Sequence, residues 1–174
     1  MPFQTNSHNR SKVAYFALHY AEIIRNQKGK TTMFTLPAYV GIILKKNDQL
    51  FLVKRHNTDW AAEQWNFPGG LVEAGETLVQ AAIRETQEET GVIVAPHNFK
   101  LVHVLQVRKS NSNTKDILGF YFMAEQWNGT AVNNEPHRHS DAAWFEIDAL
   151  PAGITEHAQQ ALRGLLKDVR YSEN

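Results

Sequence analysis

The chain has 174 residues, 43% hydrophobic and 21% charged, the composition of one ordinary globular domain with enough apolar side chains for a substantial core. Its 18 Lys and Arg balance its 18 Asp and Glu, so it offers no electrostatic footprint for duplex nucleic acid or an anionic membrane. With no cysteine, disulfides and thiolate metal sites are excluded; with no basic-then-apolar leader in "MPFQTNSHNR" and no apolar run of spanning length, a cytoplasmic protein is the expectation.

Residues 1–10 are polar. From Ser11 to Asn26, Val13, Phe16, Ala17, Tyr20, Ile23 and Ile24 recur at helical spacing, which predicts an amphipathic helix ended near Gly29. Its apolar stripe could pack on the same chain or on a second copy, so a homodimer is one possibility. Residues 1–35 are accordingly read as an N-terminal extension and 36–174 as the main domain.

"AYVGIIL" and "QLFLVKR" are β-rich runs joined by the turn-forming "KKND", which predicts a hairpin. "WNFPGG" is a breaker-rich loop, and Leu78–Thr90 follows as a helix. "LVHVLQVR" and "ILGFYFMA" predict two further strands. "QWNGTAV" contains Asn-Gly, a hairpin signal leading into a short strand. "AAWFEI" reads as a strand, "DALPAG" as a turn and "TEHAQQALRGLLKDV" as a closing amphipathic helix. Strands around one central helix, closed by another, predict a mixed sheet covered by helices, an α+β or α/β sandwich.

The Leu78–Thr90 helix is delimited at both ends. Thr77 and Gln80 fit a capping box, and Gly91 stands where a left-handed C-terminal cap would fall. At about 100° per residue, Ala82, Ile83, Thr86 and Thr90 lie within about 60° of Val79 and form the core stripe. Glu85, Glu88 and Glu89 share a neighbouring sector and are expected to be side by side and unburied. Like charges at this spacing repel by a few tenths of a kcal/mol per pair, so the arrangement needs a reason. Three carboxylates form a hard-oxygen group suited to magnesium or manganese, whose other ligands are commonly waters and phosphate oxygens. A solvated acidic helix face is the alternative.

These residues fall in a longer pattern. Gly70, Glu76, Arg84-Glu85, Glu88-Glu89, Gly91 and Val92 resemble the Nudix box: glycine, five residues, glutamate, seven residues, Arg-Glu, an aliphatic, any residue, Glu-Glu, any residue, glycine, aliphatic. Thr86 departs from it, standing where the family usually has Leu, Ile or Val. Its hydroxyl can bond a carbonyl one turn back, so the expected cost is small. "QWNFPGG" before the box and "NNEPHRHSDAAWFEIDALP" after it look like the corresponding segments of MutT-like members, and the resemblance runs from about Pro37 to the closing helix.

The resemblance implies an α/β/α sandwich, a mixed sheet flanked by helices with a loop–helix–loop catalytic element. It also implies hydrolysis of a nucleoside diphosphate linked to another group, with Mg2+ or Mn2+ as cofactor and a small-molecule nucleotide as partner, with no membrane or nucleic acid. By position, Glu85, Glu88, Glu89 and the Gly69 carbonyl match metal ligands, while Glu76 and Arg84 match a structural pair tying loop to helix. Glu85 or Glu88 is the candidate general base. Glu135 is the other candidate, since a post-box acid serves as base or ligand in some members. Lys54 and Arg55 could reach phosphate oxygens or be solvated strand-end charges. His137 and His139 alone are too few to hold zinc. Trp65 and Phe67 are expected to pack beneath the box loop, and Tyr121, Phe122 and Trp144 in the core. A (deoxy)nucleoside triphosphate cleaved to monophosphate and pyrophosphate is the favoured reaction. A nucleoside diphosphate sugar hydrolase and a silent nucleotide-sensing module are the alternatives.

Overall fold

The structure is a computed structural model and describes residues 35–108 and 116–174. The helix expected over Ser11–Asn26, with its suggested role in dimerisation, lies outside the described residues.

Strand β1 (Ala38–Lys46) organises the sheet. One of its edges carries the short antiparallel β4 (Gly69–Leu71), and the other carries β6 (Ile117–Ala124) in parallel, from Ala38↔Leu118 to Leu44↔Ala124. Beyond β6 lie β5 (Lys100–Val107), antiparallel, and β8 (Tyr171–Glu173), parallel to β5. At its far end β1 turns through Asn47 and Asp48 into β2 (Gln49–Arg55), pairing Lys46 with Gln49. Asn47 takes the left-handed conformation (φ 54°) that such a tight hairpin demands and asparagine tolerates. Strand β2 then pairs with β7 (His139–Glu146) along its length and with β3 (Trp65–Asn66). The result is an eight-stranded mixed sheet.

The period-two alternation of β1 sorts its side chains between two faces. Val40, Ile42 and Leu44 join Phe51, Ala81 and Ala82 in a core beneath helix α1 (Leu78–Thr90). Ile43 joins Leu52, Phe67, Leu105, Ala161 and Leu162 in a second core beneath helix α2 (Glu156–Leu166). A helix therefore covers each core, and the α/β sandwich with a mixed sheet holds. Phe67 is fully buried with Trp65 packed beside it; Tyr121 and Phe122 are core residues as expected, and Trp144 packs partly buried against the first core.

Local structure departs from expectation in three places. "WNFPGG", expected as a loop, supplies β3 and the start of β4. "QWNGTAV" forms no hairpin and no strand follows it: Asn128 pairs instead with Ile93 in an isolated antiparallel bridge. The backbone beyond it is claimed by the end of α1, with Val132 N–H donating to Thr90 O at 3.1 Å and Asn134 N–H to Glu89 O at 3.1 Å. The polar "YSE" near the C-terminus forms β8, although nothing in its pattern signals a strand. It is held through His103, whose ring nitrogens bond Val169 O at 2.7 Å and Ser172 Oγ at 2.8 Å.

Candidate active site

Helix α1 presents the acidic group, and its register is pinned at both ends. The Thr77 hydroxyl accepts from Gln80 N–H while the Gln80 side chain accepts from Thr77 N–H, and Gly91 closes the helix at φ 73°. The Thr86 hydroxyl bonds Ala82 O at 2.5 Å, the one-turn-back bond expected of it. The buried face is rotated from the expected stripe toward the glutamates. Ala81, Ala82, Glu85, Thr86, Glu89 and Thr90 are buried, whereas Val79 and Ile83 are only partly so.

This corrects the expectation that all three glutamates are unburied. Glu85 is 9% exposed and Glu89 6%, while the Glu88 side chain is 48% exposed. The covering comes from two segments remote in sequence. Strand β4 packs against the helix, with Gly69 N–H donating to Glu89 Oε2 at 2.9 Å. At Gly70 the backbone lies so near the helix that an added Cβ would overlap the Glu85 carboxylate. From the other side, the loop before β7 is fastened to α1 by Asn134 Nδ2, which donates to Glu88 O at 2.9 Å.

Burial outweighs the local hydrogen bonds in setting protonation. It lifts Glu89 to about 8 despite the Gly69 N–H, which favours the charged form. Glu85 is also raised by burial, against the pull of Arg84. Arg84 ties the group together. It donates from Nε and Nη2 to the two oxygens of Glu76, at 2.7 and 3.0 Å, and from Nη2 to Leu71 O at 3.1 Å. Its Nη1 reaches Glu85 at 2.6 Å and Glu88 at 3.0 Å. The guanidinium thus holds the box loop on the helix and offsets the crowded negative charge.

A cavity of about 730 Å³ opens beside these carboxylates. Glu85, Glu88, Glu89 and Gly69 lie on one wall, with Arg55 and Glu135 also lining it. Arg55 is steadied at the cavity by Trp60, donating from Nε to its carbonyl at 2.9 Å and lying 4.9 Å from its ring centroid. Lys54 does not line the cavity; it pairs with Glu63 at 3.4 Å. His137 lines the cavity, but it is His139 that meets the acidic group: ligand atoms of Glu89, Glu135 and His139 all lie within 4.8 Å of one another. Burial pushes the His139 imidazole down to about 4, leaving it neutral near pH 7. Glu89 and Glu135 are both singled out by the sequence, but residues 50 positions apart carry no spacing signal that His139 joins them. Half-buried Tyr39 also lines the cavity, a position that no sequence signal marks.

The donor chemistry fits a hard divalent cation: carboxylate oxygens predominate, an imidazole stands beside them, and the cavity adjoins. Among the described residues, no helix is long and apolar enough to cross a membrane.

The chain matches the NUDIX domain family over residues 35–165. It is 35% identical over 135 residues to an 8-oxo-dGTP diphosphatase of Escherichia coli (strain K12), covering 78% of this chain and 98% of that protein. It is 43% identical over 115 residues to an ADP-ribose pyrophosphatase of Methanocaldococcus jannaschii, covering 66% and 64% respectively. Among solved structures, the MutT NUDIX hydrolase from Burkholderia pseudomallei superimposes with a TM-score of 0.68 at 26% identity, covering 74% of this chain and 97% of that one.

Proposed function

Since this chain belongs to the NUDIX family and is one of its nucleotide-linked pyrophosphohydrolases, we propose that it cleaves a (deoxy)nucleoside triphosphate to the monophosphate and pyrophosphate, with Mg2+ or Mn2+ bound. The observation that carries this is the wall of carboxylates Glu85, Glu88 and Glu89 facing a cavity that Arg55 also lines. A polyphosphate needs cationic partners on several sides, and here the protein itself supplies one of them.

Glu85, Glu88, Glu89, Glu135 and the Gly69 carbonyl are the groups that would hold the cation. When bound, the cation neutralises phosphate charge and polarises the reacting water. Arg55 binds phosphate oxygens through its fork of N–H donors. Glu85 or Glu88 takes the water's proton as the oxygen attacks phosphorus and the anhydride bond breaks. Burial raises Glu85 toward the range a general base needs, which favours it over its exposed neighbour. Arg84 and Glu76 hold the loop and keep the carboxylates oriented. Residues 36–174 suffice for this chemistry in our reading, with residues 1–35 an extension to it.

The 8-oxo-dGTP diphosphatase similarity supports a purine triphosphate. The ADP-ribose pyrophosphatase similarity favours a second reading, a nucleoside diphosphate sugar. The test is product analysis for a panel of nucleotides with Mg2+, wild type against Glu88→Gln. Pyrophosphate from triphosphates, abolished in the variant, supports the first reading; two monophosphates from a diphosphate sugar support the second. Tight binding without turnover of any nucleotide would make the domain a sensor and sink both.

A further inference from the structure

The segment joining β2 to β3, residues 56–64, carries two unusual features at the cavity. Ala61 and Glu63 take left-handed φ angles of 51° and 62°, which are unfavourable for residues with a Cβ. Trp60, next to them, lines the cavity and is left 40% exposed. An indole so exposed forgoes much of the burial a tryptophan ordinarily gains, so the contacts it does make call for an account.

Those contacts converge on Arg55. The Trp60 carbonyl accepts from Arg55 Nε at 2.9 Å and from Thr58 Oγ1 at 3.0 Å. The guanidinium carbon lies 4.9 Å from the indole centroid, within cation–π range. His157, in the first turn of α2, stacks on the same indole, with centroids 4.9 Å apart and 19° between the planes. The segment also closes on the Arg55 backbone, whose N–H donates to Gln64 O at 2.9 Å and whose carbonyl accepts from Glu63 N–H at 2.8 Å.

The neighbouring cations are held differently. Arg84 is paired with Glu76, Glu85 and Glu88, and Lys54 with Glu63. Trp60 offers Arg55 a neutral carbonyl and a neutral ring, which orient the guanidinium without cancelling its charge. With Nε committed to Trp60, a phosphoryl group would be met across Nη1 and Nη2.

We propose that Trp60 is a positioning residue for phosphate binding: its carbonyl and its ring, braced by His157, hold Arg55 at the cavity with its charge unspent. The proposal rests on the reading above that Arg55 binds phosphate oxygens, though not on the identity of any base or sugar.

The probe is inorganic tripolyphosphate with Mg2+, titrated calorimetrically into the full chain. Trp60→Leu should weaken its binding about three- to tenfold, and Trp60→Phe less than about twofold. For a hydrolysed nucleotide, KM should rise in step while kcat stays within about twofold of wild type. In an Arg55→Gln background, Trp60→Leu should add nothing, because the group it positions is gone. The same weakening in that background, equal weakening by Phe and Leu, or a loss in kcat with KM unchanged would overturn the proposal. Should Trp60→Leu not fold, His157→Ala keeps the indole but removes its brace. A smaller weakening that disappears with Arg55→Gln then supports the proposal, and one that persists overturns it. The expected pattern in a protein that hydrolyses no nucleotide would sink the hydrolase reading and leave this one standing. Hydrolysis by a wild type that binds no tripolyphosphate would do the reverse.

Discussion

Arg84 and Glu76 are joined by two hydrogen bonds, Nε to Oε1 at 2.7 Å and Nη2 to Oε2 at 3.0 Å, across the junction between box loop and helix. The geometry is a bidentate fork, the strongest form of an arginine–carboxylate pair. Those hydrogen bonds, with a further one from Glu73 N–H, hold the Glu76 carboxyl down to about 2 from its ordinary 4.5.

A depressed carboxylate stabilises the fold above its ordinary value and loses that contribution as pH falls toward its folded one. Wild type should therefore lose stability between about pH 5 and 2 that Glu76→Gln never had. The melting temperatures of the two should differ at pH 7 and converge near pH 2. A constant gap across that range would mean that Glu76 acts through packing and not through its charge.

Metal should stabilise the fold measurably. Glu85, Glu88 and Glu89 crowd one helix face, and burial already disfavours charge on two of them. A cation that binds only the folded chain adds about 2.7 kcal/mol at a hundredfold excess over its dissociation constant. For a chain of this size that is roughly 5 to 10 °C in melting temperature. Chelator should reverse the shift, and Glu89→Gln should remove most of it. An unchanged melting temperature on adding Mg2+ or Mn2+ would count against a metal site on this helix.

The helix ends were legible in the sequence because their chemistry is local: Thr77, Gln80 and Gly91 lie within or next to the helix they cap. The depth of Glu85 and Glu89 was not legible, because it depends on Gly69 and Gly70 of β4 and the loop through Asn134, which reach α1 only in the folded chain. Asn128-Gly129 misled for a similar reason. The dipeptide permits a hairpin, but Asn128 found its backbone partner in Ile93, and the residues beyond were taken by the last carbonyls of α1. Strand β8 is three residues of unremarkable pattern, held by His103 from another strand.

Thr86, a departure from the box pattern, does not line the cavity. It is fully buried, and its hydroxyl is spent on Ala82 O within its own helix. Thr86→Val replaces that hydroxyl with a methyl of similar volume while the carbonyl keeps its helical N–H partner. Stability should change by less than about 1 kcal/mol in urea unfolding, with kcat unaltered. A loss of about 2 kcal/mol or more would show that the hydroxyl serves more than its own turn.

Gly164 on α2 faces His103 so closely that an added Cβ would overlap the imidazole ring. That ring holds Val169 and Ser172, so displacing it should also loosen β8. Gly164→Ala should destabilise by about 1 to 3 kcal/mol, as overpacking does, despite alanine's better helix propensity. Hydrogen exchange should speed at β8, while kcat and KM stay near wild type because neither Gly164 nor β8 lines the cavity. A stabilised variant would mean that the ring moves aside freely.

Gly70→Ala should do the opposite, harming chemistry more than folding. The new Cβ would meet the Glu85 carboxylate itself, the far end of a side chain that can swing away. The fold can therefore accommodate it, but Glu85 leaves the position from which it would act, and its bond to Arg84 is disturbed with it. A misplacement near 1 Å in such a group costs about a hundredfold in rate. The expected result is kcat down by about two orders of magnitude, with KM and melting temperature little changed. Adding Glu85→Gln on top should then cost far less than it does alone, since both changes remove the same correctly placed carboxylate. Full additivity of the two would show that Gly70 matters for something other than the room it leaves Glu85.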